Sequence, residues 1–343
     1  MRSTKYRTND IAKKAGLSPA TVSRAINHPE LVKEATRAQI RKVMADMGYK
    51  VDEIFAAAQA GAQARNAAGA AQQVLLINVP PGANPFYEKV IEGAFSSASN
   101  HGFQIMLNYT ELNAATIDAF VGLIKTSQIR GVITLAQLPV EILNAIESTV
   151  PLVQCCEFNE DSPLPYVSID DFAAAENAVR YLLSAGRRRI ALMNGPRGFK
   201  YSRLRLSGFK HALKGAGIEI PPQWIVHVPG IDYQMAQAQA ARLFSGNPIP
   251  DAVFASSDVL AAAVINFAIE KGLSVPQDVM IIGFDNILLC KIVRPNLTTV
   301  RQPKHELGFT ASEMLIERIK GRPLTNTQVI LPTELIVRRS TGI

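Results

Sequence analysis

Near the start of the chain, "NDIAKKAGLSPATVSRAIN" (residues 9–27) leaves Ala20, Thr21, Ser23, Arg24 and Asn27 on the outside of a short helix. These side chains are small and polar apart from one guanidinium. A helix with such a face is slim enough to enter the DNA major groove and form hydrogen bonds there. The same stretch supplies the elements that hold it. Asn9 or Asp10 can cap a first helix running to Ala15, with Ile11, Ala12 and Ala15 at helical spacing as its apolar face. Gly16 stops that helix by supplying the left-handed residue of a tight turn, and Leu17 fills the corner. Ser18 can cap the second helix and Pro19 suits its first position. Val22 and Ile26, four residues apart, face inward. The pattern predicts a third helix from about Lys33 to Met47, with Ile40, Val43, Met44 and Met47 inward and Gly48 at its end. The arrangement is a helix-turn-helix.

Charge agrees with that reading. Residues 1–50 hold eleven Lys and Arg against four Asp and Glu, a net +7 that equals the net charge of all 343 residues, so the remainder is neutral. A basic head on a neutral body points to a polyanionic partner for the head alone. No apolar run reaches the roughly 18 residues of a membrane span. "MRSTKYRTND" lacks the apolar core of a secretory signal, so a cytoplasmic protein with no membrane partner is expected. Cys155 and Cys156 are adjacent, a poor disulfide framework. No CxxC spacing occurs, so these two and Cys290 are expected to be buried thiols with no metal and no cofactor.

The composition, 48% hydrophobic, suffices for two or three packed units. Beyond residue 73, apolar strands alternate with amphipathic helices. The pattern predicts strands at 75–79, 104–108, 131–134, 152–155, 189–193, 252–255 and 280–284, and helices at 86–100, 114–127, 171–185, 206–214 and 258–271. That alternation means parallel sheets covered by helices on both faces, enough for two lobes, with ligands taken at strand carboxyl ends. Motifs for an enzyme are missing: no GxGxxG after a strand, no GxxxxGK[ST], no GxSxG. His101, His211, His227 and His305 form no catalytic spacing with Glu157 or Asp285. No catalytic residue is expected.

The head resembles the lactose/galactose-repressor (LacI/GalR) family of bacterial transcription regulators. The resemblance is carried by "NDIAKKAGLSPATVSRAIN", by Thr36-Arg37 and by "MGY" at residues 47–49, and it continues to the terminal "ELIVRRSTG". It implies that Pro19, Ala20 and Arg24 face base edges, Arg24 being suited to guanine N7 and O6 together. It implies that Thr8, Ser18, Thr21, Ser23 and Asn27 hold phosphates and so set register. The implied fold is a small all-α helix-turn-helix headpiece, residues 1–50, and an Ala-rich hinge or linker, 51–73. A two-lobed α/β periplasmic-binding-protein-like domain follows over 74–343. Its N-lobe would be 74–169 plus 303–331 and its C-lobe 170–302 plus 332–343.

The same resemblance implies an effector cleft. "ANPFY" would present Phe86 and Tyr87 as stacking faces, and "GIDY" Tyr233 as a second wall. "SRLRLSGF" supplies Arg205, whose fork can grip a diol, a carboxylate or a ring nitrogen. "GFDN" offers Asp285 to hydroxyls, "SSD" sets Ser257 where relatives often carry Asn, and "CCEF" places Cys156, Glu157 and Phe158 on the opposite wall. "CEF" and "IIGFDN" resemble the family's cytidine-repressor branch. The expected partners are a pseudo-palindromic double-stranded operator, a second copy of the chain in a homodimer, and a sugar, sugar derivative or nucleoside. The runner-up is a sugar-binding protein of the transport class without DNA regulation, which the basic head and missing signal oppose.

The hinge departs from the family pattern. Val51 and Asp52 stand where relatives have Pro-Asn, and Ala58 falls where a Leu wedges into the minor groove. Ile54 or Phe55 would have to substitute. Lys33 takes the N-cap position of the third helix, where Ser is usual.

Overall fold

The computed structural model describes residues 8–27, 32–52, 54–55, 73–82 and 84–342, and divides into two compact units, Met1–Ala71 and Gln72–Ile343. In the first unit, helices α1 (Thr8–Ala15), α2 (Pro19–Asn27) and α3 (Glu34–Asp46) enclose a small core. Ile11, Ala12, Val22, Ala25, Ile26, Ile40 and Met44 are all at most 2% exposed. Gly16 takes φ +65° at the corner between α1 and α2. The Ser18 hydroxyl accepts the Thr21 amide at 3.1 Å, capping α2. The side chain of Gln39 on α3 donates to the carbonyl of Ala15 at 2.9 Å and so satisfies an end of α1. Lys33 gives α3 no side-chain cap.

The head does not end at residue 50. Residues 51, 52, 54 and 55 are helical. Phe55 is 4% exposed within the three-helix core, with the Arg41 guanidinium 4.5 Å from its ring centroid. Ile54 packs partly buried beside it. The expectation of a groove wedge at Phe55 is therefore corrected, while Ile54, only partly buried, is not decided by this packing. An aromatic that closes the headpiece core is not free to prise apart a base step. Ala58 and most of the linker lie outside the described residues.

The second unit holds two six-stranded sheets. The first consists of β1 (Val74–Asn78), β2 (Gln104–Asn108), β3 (Ile129–Thr134), β4 (Leu152–Cys155), β5 (Tyr166–Ile169) and β11 (Gln328–Leu331), ordered β11-β5-β4-β3-β1-β2 and all parallel. The second consists of β6 (Ile190–Asn194), β7 (Ile225–His227), β8 (Ala252–Ala255), β9 (Met280–Asp285), β10 (Thr298–Arg301) and β12 (Glu334–Ile336), ordered β12-β10-β9-β8-β6-β7. Only β12 runs antiparallel, on β10. The chain therefore crosses between sheets after β5, after β10 and after β11. Five strands, β5, β7, β10, β11 and β12, were not expected as strands. Each has three or four residues.

Around the first sheet lie α4 (Phe86–Asn100), α5 (Ile117–Thr126), α6 (Val140–Glu147) and α12 (Lys304–Ile319); with the second sheet go α7 (Asp171–Ser184), α8 (Lys200–Gly215), α9 (Tyr233–Leu243), α10 (Asp258–Glu270) and the short α11 (Leu289–Ile292). Helix α12 comes late in the chain yet packs on α4. Gly93 and Gly308 allow this, because a Cβ at Gly93 would strike the carbonyl of His305 and one at Gly308 that of Val90. Helix α8 begins six residues before the expected start at Leu206. Its first turns put Lys200, Ser202 and Arg205 inside, so a hydrophobic pattern cannot find them.

Phe55→Ala should cost the headpiece about 3–5 kcal/mol, the usual loss for a buried Phe. In calorimetry or amide exchange the 72–343 unit should melt unchanged while the head unfolds early. Retention of head protection in the variant would show that Phe55 is not a core residue.

Candidate functional site

Two places in the chain concentrate exposed or buried polar chemistry. On the headpiece, Pro19, Ala20, Ser23 and Arg24 are exposed along α2, Thr21 is half-buried, and Val22, Ala25 and Ile26 face the core. The Ser18 and Thr21 hydroxyls are hydrogen-bonded at 2.8 Å. Thr8 opens α1, half-buried. Asn27 is the last residue of α2, and its side chain lies outside the described residues. The turn thus holds α2 with its small residues and one guanidinium outward.

The second place is a cavity of about 420 Å³, its mouth included, between the carboxyl ends of the two sheets. It lies beyond β1 in the first sheet and beyond β8 in the second. These are the points where strand order reverses, with β1 between β2 and β3, and β6 and β8 side by side. Phe86, Tyr87, Cys156, Glu157, Arg205, Ser257 and Asp285 all line it, as expected from the sequence. Tyr233 does not. It opens α9, packs on the core of the second lobe, and its hydroxyl accepts a bond from Asn266 at 2.6 Å. Ile231 of the same "GIDY" faces the cavity in its place, while Asp232 caps α9. Phe158 also turns away and stacks on Tyr166 with centroids 3.8 Å apart.

Asp171, which sequence reasoning missed, organises the floor. It is 1% exposed. One carboxylate oxygen receives the Nε and Nη2 of Arg205, both at 2.8 Å, and the other the Nζ of Lys200 at 2.7 Å. Burial alone would raise the Asp171 pKa, but Arg205 and Lys200 outweigh it and hold the carboxyl below its ordinary value. The Nη1 of Arg205 donates to the carbonyl of Ser256 at 2.6 Å, and its plane lies 3.5 Å from the Phe284 centroid. One signal could have found Asp171. A buried Arg needs a buried partner, and of the paired Asp170-Asp171 the first caps α7, bonding the Ala173 amide at 2.8 Å, which leaves the second free for another role.

The other carboxylates have different surroundings. Glu157, from the loop after β4, accepts the amides of Lys200 at 2.7 Å and Tyr201 at 3.2 Å at the start of α8. Asp285 has φ +110°, so the chain bends sharply after β9. Its side chain accepts from Gln302 at 2.7 Å, and its carbonyl from Lys304. Ser257 caps α10 through the Val259 amide at 3.2 Å. Burial pushes Glu157 up to about 7, Lys200 opposing and Asp171 adding. Burial, with Asp285 nearby, pushes Asp258 up to about 7. Burial likewise pushes Asp285 up to about 6, against Arg205 and Lys304. The neighbouring Cys155 thiol and burial keep Cys156 protonated, a neutral wall. Among the described residues no cluster of three metal-ligating side chains occurs, and no helix is long and apolar enough to cross a membrane.

These raised values set a pH dependence. A folded-state pKa above the unfolded one stabilises at low pH, and that contribution is lost as pH rises through the folded value. The loss passes through about pH 6 for Asp285 and about pH 7 for Glu157 and Asp258. His227, pushed down by burial, acts in the opposite sense. The thermal midpoint of the 72–343 unit should therefore fall between about pH 5 and pH 8, and Asp258→Asn should flatten the fall. Equal slopes in the two proteins would remove Asp258 from the account.

Comparison with known proteins joins the two places. The description "Bacterial regulatory proteins, lacI family" matches residues 8–52, and "Periplasmic binding protein-like domain" matches residues 179–341. The HTH-type transcriptional repressor CytR of Escherichia coli strain K12 is 34% identical over 334 residues, 97% of this chain and 95% of that one. The HTH-type transcriptional regulator DegA of Bacillus subtilis strain 168 is 31% identical over 347 residues, 100% and 99% of the two chains. The solved complex of the transcriptional regulator CelR with cellobiose has a TM-score of 0.72 at 26% identity, covering 98% of this chain and 100% of that one. The chain belongs to the lacI family of bacterial regulatory proteins, as a helix-turn-helix transcriptional regulator and not an enzyme.

Proposed function

We propose that this chain is a cytoplasmic repressor that binds a pseudo-palindromic operator as a homodimer and is switched by a sugar, sugar derivative or nucleoside in its cleft. The observation that carries the DNA half is the outward face of α2 on a packed headpiece. Pro19, Ala20 and Arg24 are exposed there, and Arg24 is the direct reader, able to bond guanine N7 and O6 together. Thr8, Ser18, Thr21, Ser23 and Asn27 contact phosphates and fix the register of α2 in the groove. The repressor name of the CytR relative supports the sign of the response.

The cleft half rests on a cavity with aromatic faces at Phe86 and Tyr87, acceptors at Glu157 and Asp285, and the remaining N–H groups of Arg205. Such a wall stacks a ring and bonds hydroxyls. The cellobiose bound to the CelR relative supports a sugar-class occupant. The occupant touches residues of both sheets and so favours one lobe arrangement, and operator affinity follows that bias.

Arg24→Ala should cost about 1–3 kcal/mol of operator binding and relax base choice at one half-site position. An unchanged preference in binding-site selection would remove Arg24 from the reading positions. Arg205→Lys keeps a cation beside Asp171 but lacks the planar fork. It should fold and bind operator, yet lose effector stabilisation, which amounts to about 2.7 kcal/mol at one hundred times Kd in the wild type. An intact ligand-induced thermal shift would contradict the role given to Arg205.

A further inference from the structure

We propose that Glu157 is a specificity-determining residue that makes the cleft refuse anions, so that the effector is a neutral or cationic hydroxylated molecule and not a phosphate ester or sugar acid. The inference rests on the reading of the cleft as an effector site, and three observations carry it.

First, the anion-receptive feature of the cavity wall is already filled. Helix α8 is sixteen residues long, and its first amides have no partner within the helix. Phe199 precedes it and offers no side-chain cap. Such an end, with its dipole, would receive a phosphate or carboxylate of a ligand. Here the carboxylate of Glu157, 3% exposed and reaching across from the first sheet's lobe, takes the Lys200 and Tyr201 amides. A ligand anion would have to displace it.

Second, the two ammonium groups beside the cavity are committed and the guanidinium is partly so. Arg205 spends Nε and Nη2 on Asp171 and Nη1 on the Ser256 carbonyl. The Lys200 Nζ is fully buried on Asp171 and on the Ser168 hydroxyl at 3.0 Å. The Lys304 Nζ lies on the carbonyls of Asp285 and Asn286.

Third, the charged groups that line the cavity are three carboxylates, Glu157, Asp171 and Asp285, against the single guanidinium of Arg205. Lys200 and Lys304 stand behind these carboxylates, so an incoming phosphate meets no uncommitted ammonium and would have to compete with Glu157 and Asp285 for their donors. Hydroxyl and amino donors meet acceptors instead, at Glu157, Asp285 and the side-chain oxygen of Gln302, whose amide nitrogen is given to Asp285.

The test is calorimetric titration of full-length wild type, Glu157→Gln and Glu157→Ala. The probes are matched pairs: adenosine and its 5′-monophosphate, cytidine and its 5′-monophosphate, ribose and ribose 5-phosphate, and inorganic phosphate alone. In the wild type, any neutral member that binds should do so at least about tenfold more tightly than its phosphate ester. Glu157→Gln, which keeps the length and one acceptor oxygen, should narrow that ratio. Glu157→Ala should gain saturable phosphate binding that the wild type lacks. Wild-type binding of a phosphate ester as tight as that of its neutral partner would overturn the proposal. So would absence of phosphate binding to a folded Glu157→Ala. If Glu157→Ala does not fold, phosphate binding to Glu157→Gln decides in its place. If no neutral compound binds the wild type, the sugar or nucleoside reading of the cleft fails for those compounds. The phosphate comparison between wild type and variant still decides the role of Glu157.

Discussion

Asp171 is 1% exposed and divides one carboxylate between the guanidinium of Arg205 and the ammonium of Lys200. Neither cation could remain buried without it, because an unpaired charge inside a protein costs more than almost any single packing contact returns. The cluster sits where the chain leaves β5 and enters α7, the first crossing between the two sheets. Lys200 reaches from α8 of one lobe to Ser168 of the other. Glu157 makes the reverse connection, from the first lobe to the start of α8. The two lobes are thus held across the cleft by buried hydrogen bonds that a ligand can complete or disturb. A two-lobed regulator needs such a junction, since a ligand shifts an equilibrium only through contacts that differ between its states.

The cavity chemistry follows from that junction. Arg205 is stacked on Phe284 and oriented by Asp171, which holds the guanidinium in place on the cavity wall. Asp285 is brought in by a left-handed bend after β9 and steadied by Gln302 and Lys304, which lie beyond the second crossing. Residues separated by more than one hundred positions in sequence are assembled because each follows the carboxyl end of a parallel strand. The sheets supply rigidity and the loops supply the groups.

The headpiece solves a different problem. It has few residues with which to exclude water, so each apolar side chain matters. Ile11, Val22, Ile26, Ile40 and Met44 close most of the core, and Phe55, from the segment that follows the third helix, completes it. Recruiting the start of the linker in this way lengthens the packed head. It also uses the one large aromatic of the segment internally. The packed core leaves α2 with Arg24 exposed on its outer face.

Much of this was legible in the sequence. Local signals determined the headpiece: a cap at Ser18 with Pro19 at the first helical position, a glycine turn, and apolar spacing at 3.6 residues act within a few positions. Period and length likewise determined the longer strands and helices of the body. The cleft residues Phe86, Tyr87, Glu157, Arg205 and Asp285 were legible through family resemblance, because their motifs stand at strand ends. Tertiary structure alone decided the rest. Tyr233 packs partly buried against the second lobe's core at the start of α9, and Ile231 takes its place, a two-residue difference that no spacing rule resolves. Phe55 reads as a free aromatic until the head folds around it. Lys200, Ser202 and Arg205 break the amphipathic pattern of α8 because they are buried as charge and hydrogen-bond partners, and the partner that permits this, Asp171, lies about thirty residues earlier in the chain. Sequence periodicity reports which side chains avoid water for their own sake. Only the fold reports which polar side chains avoid it for one another.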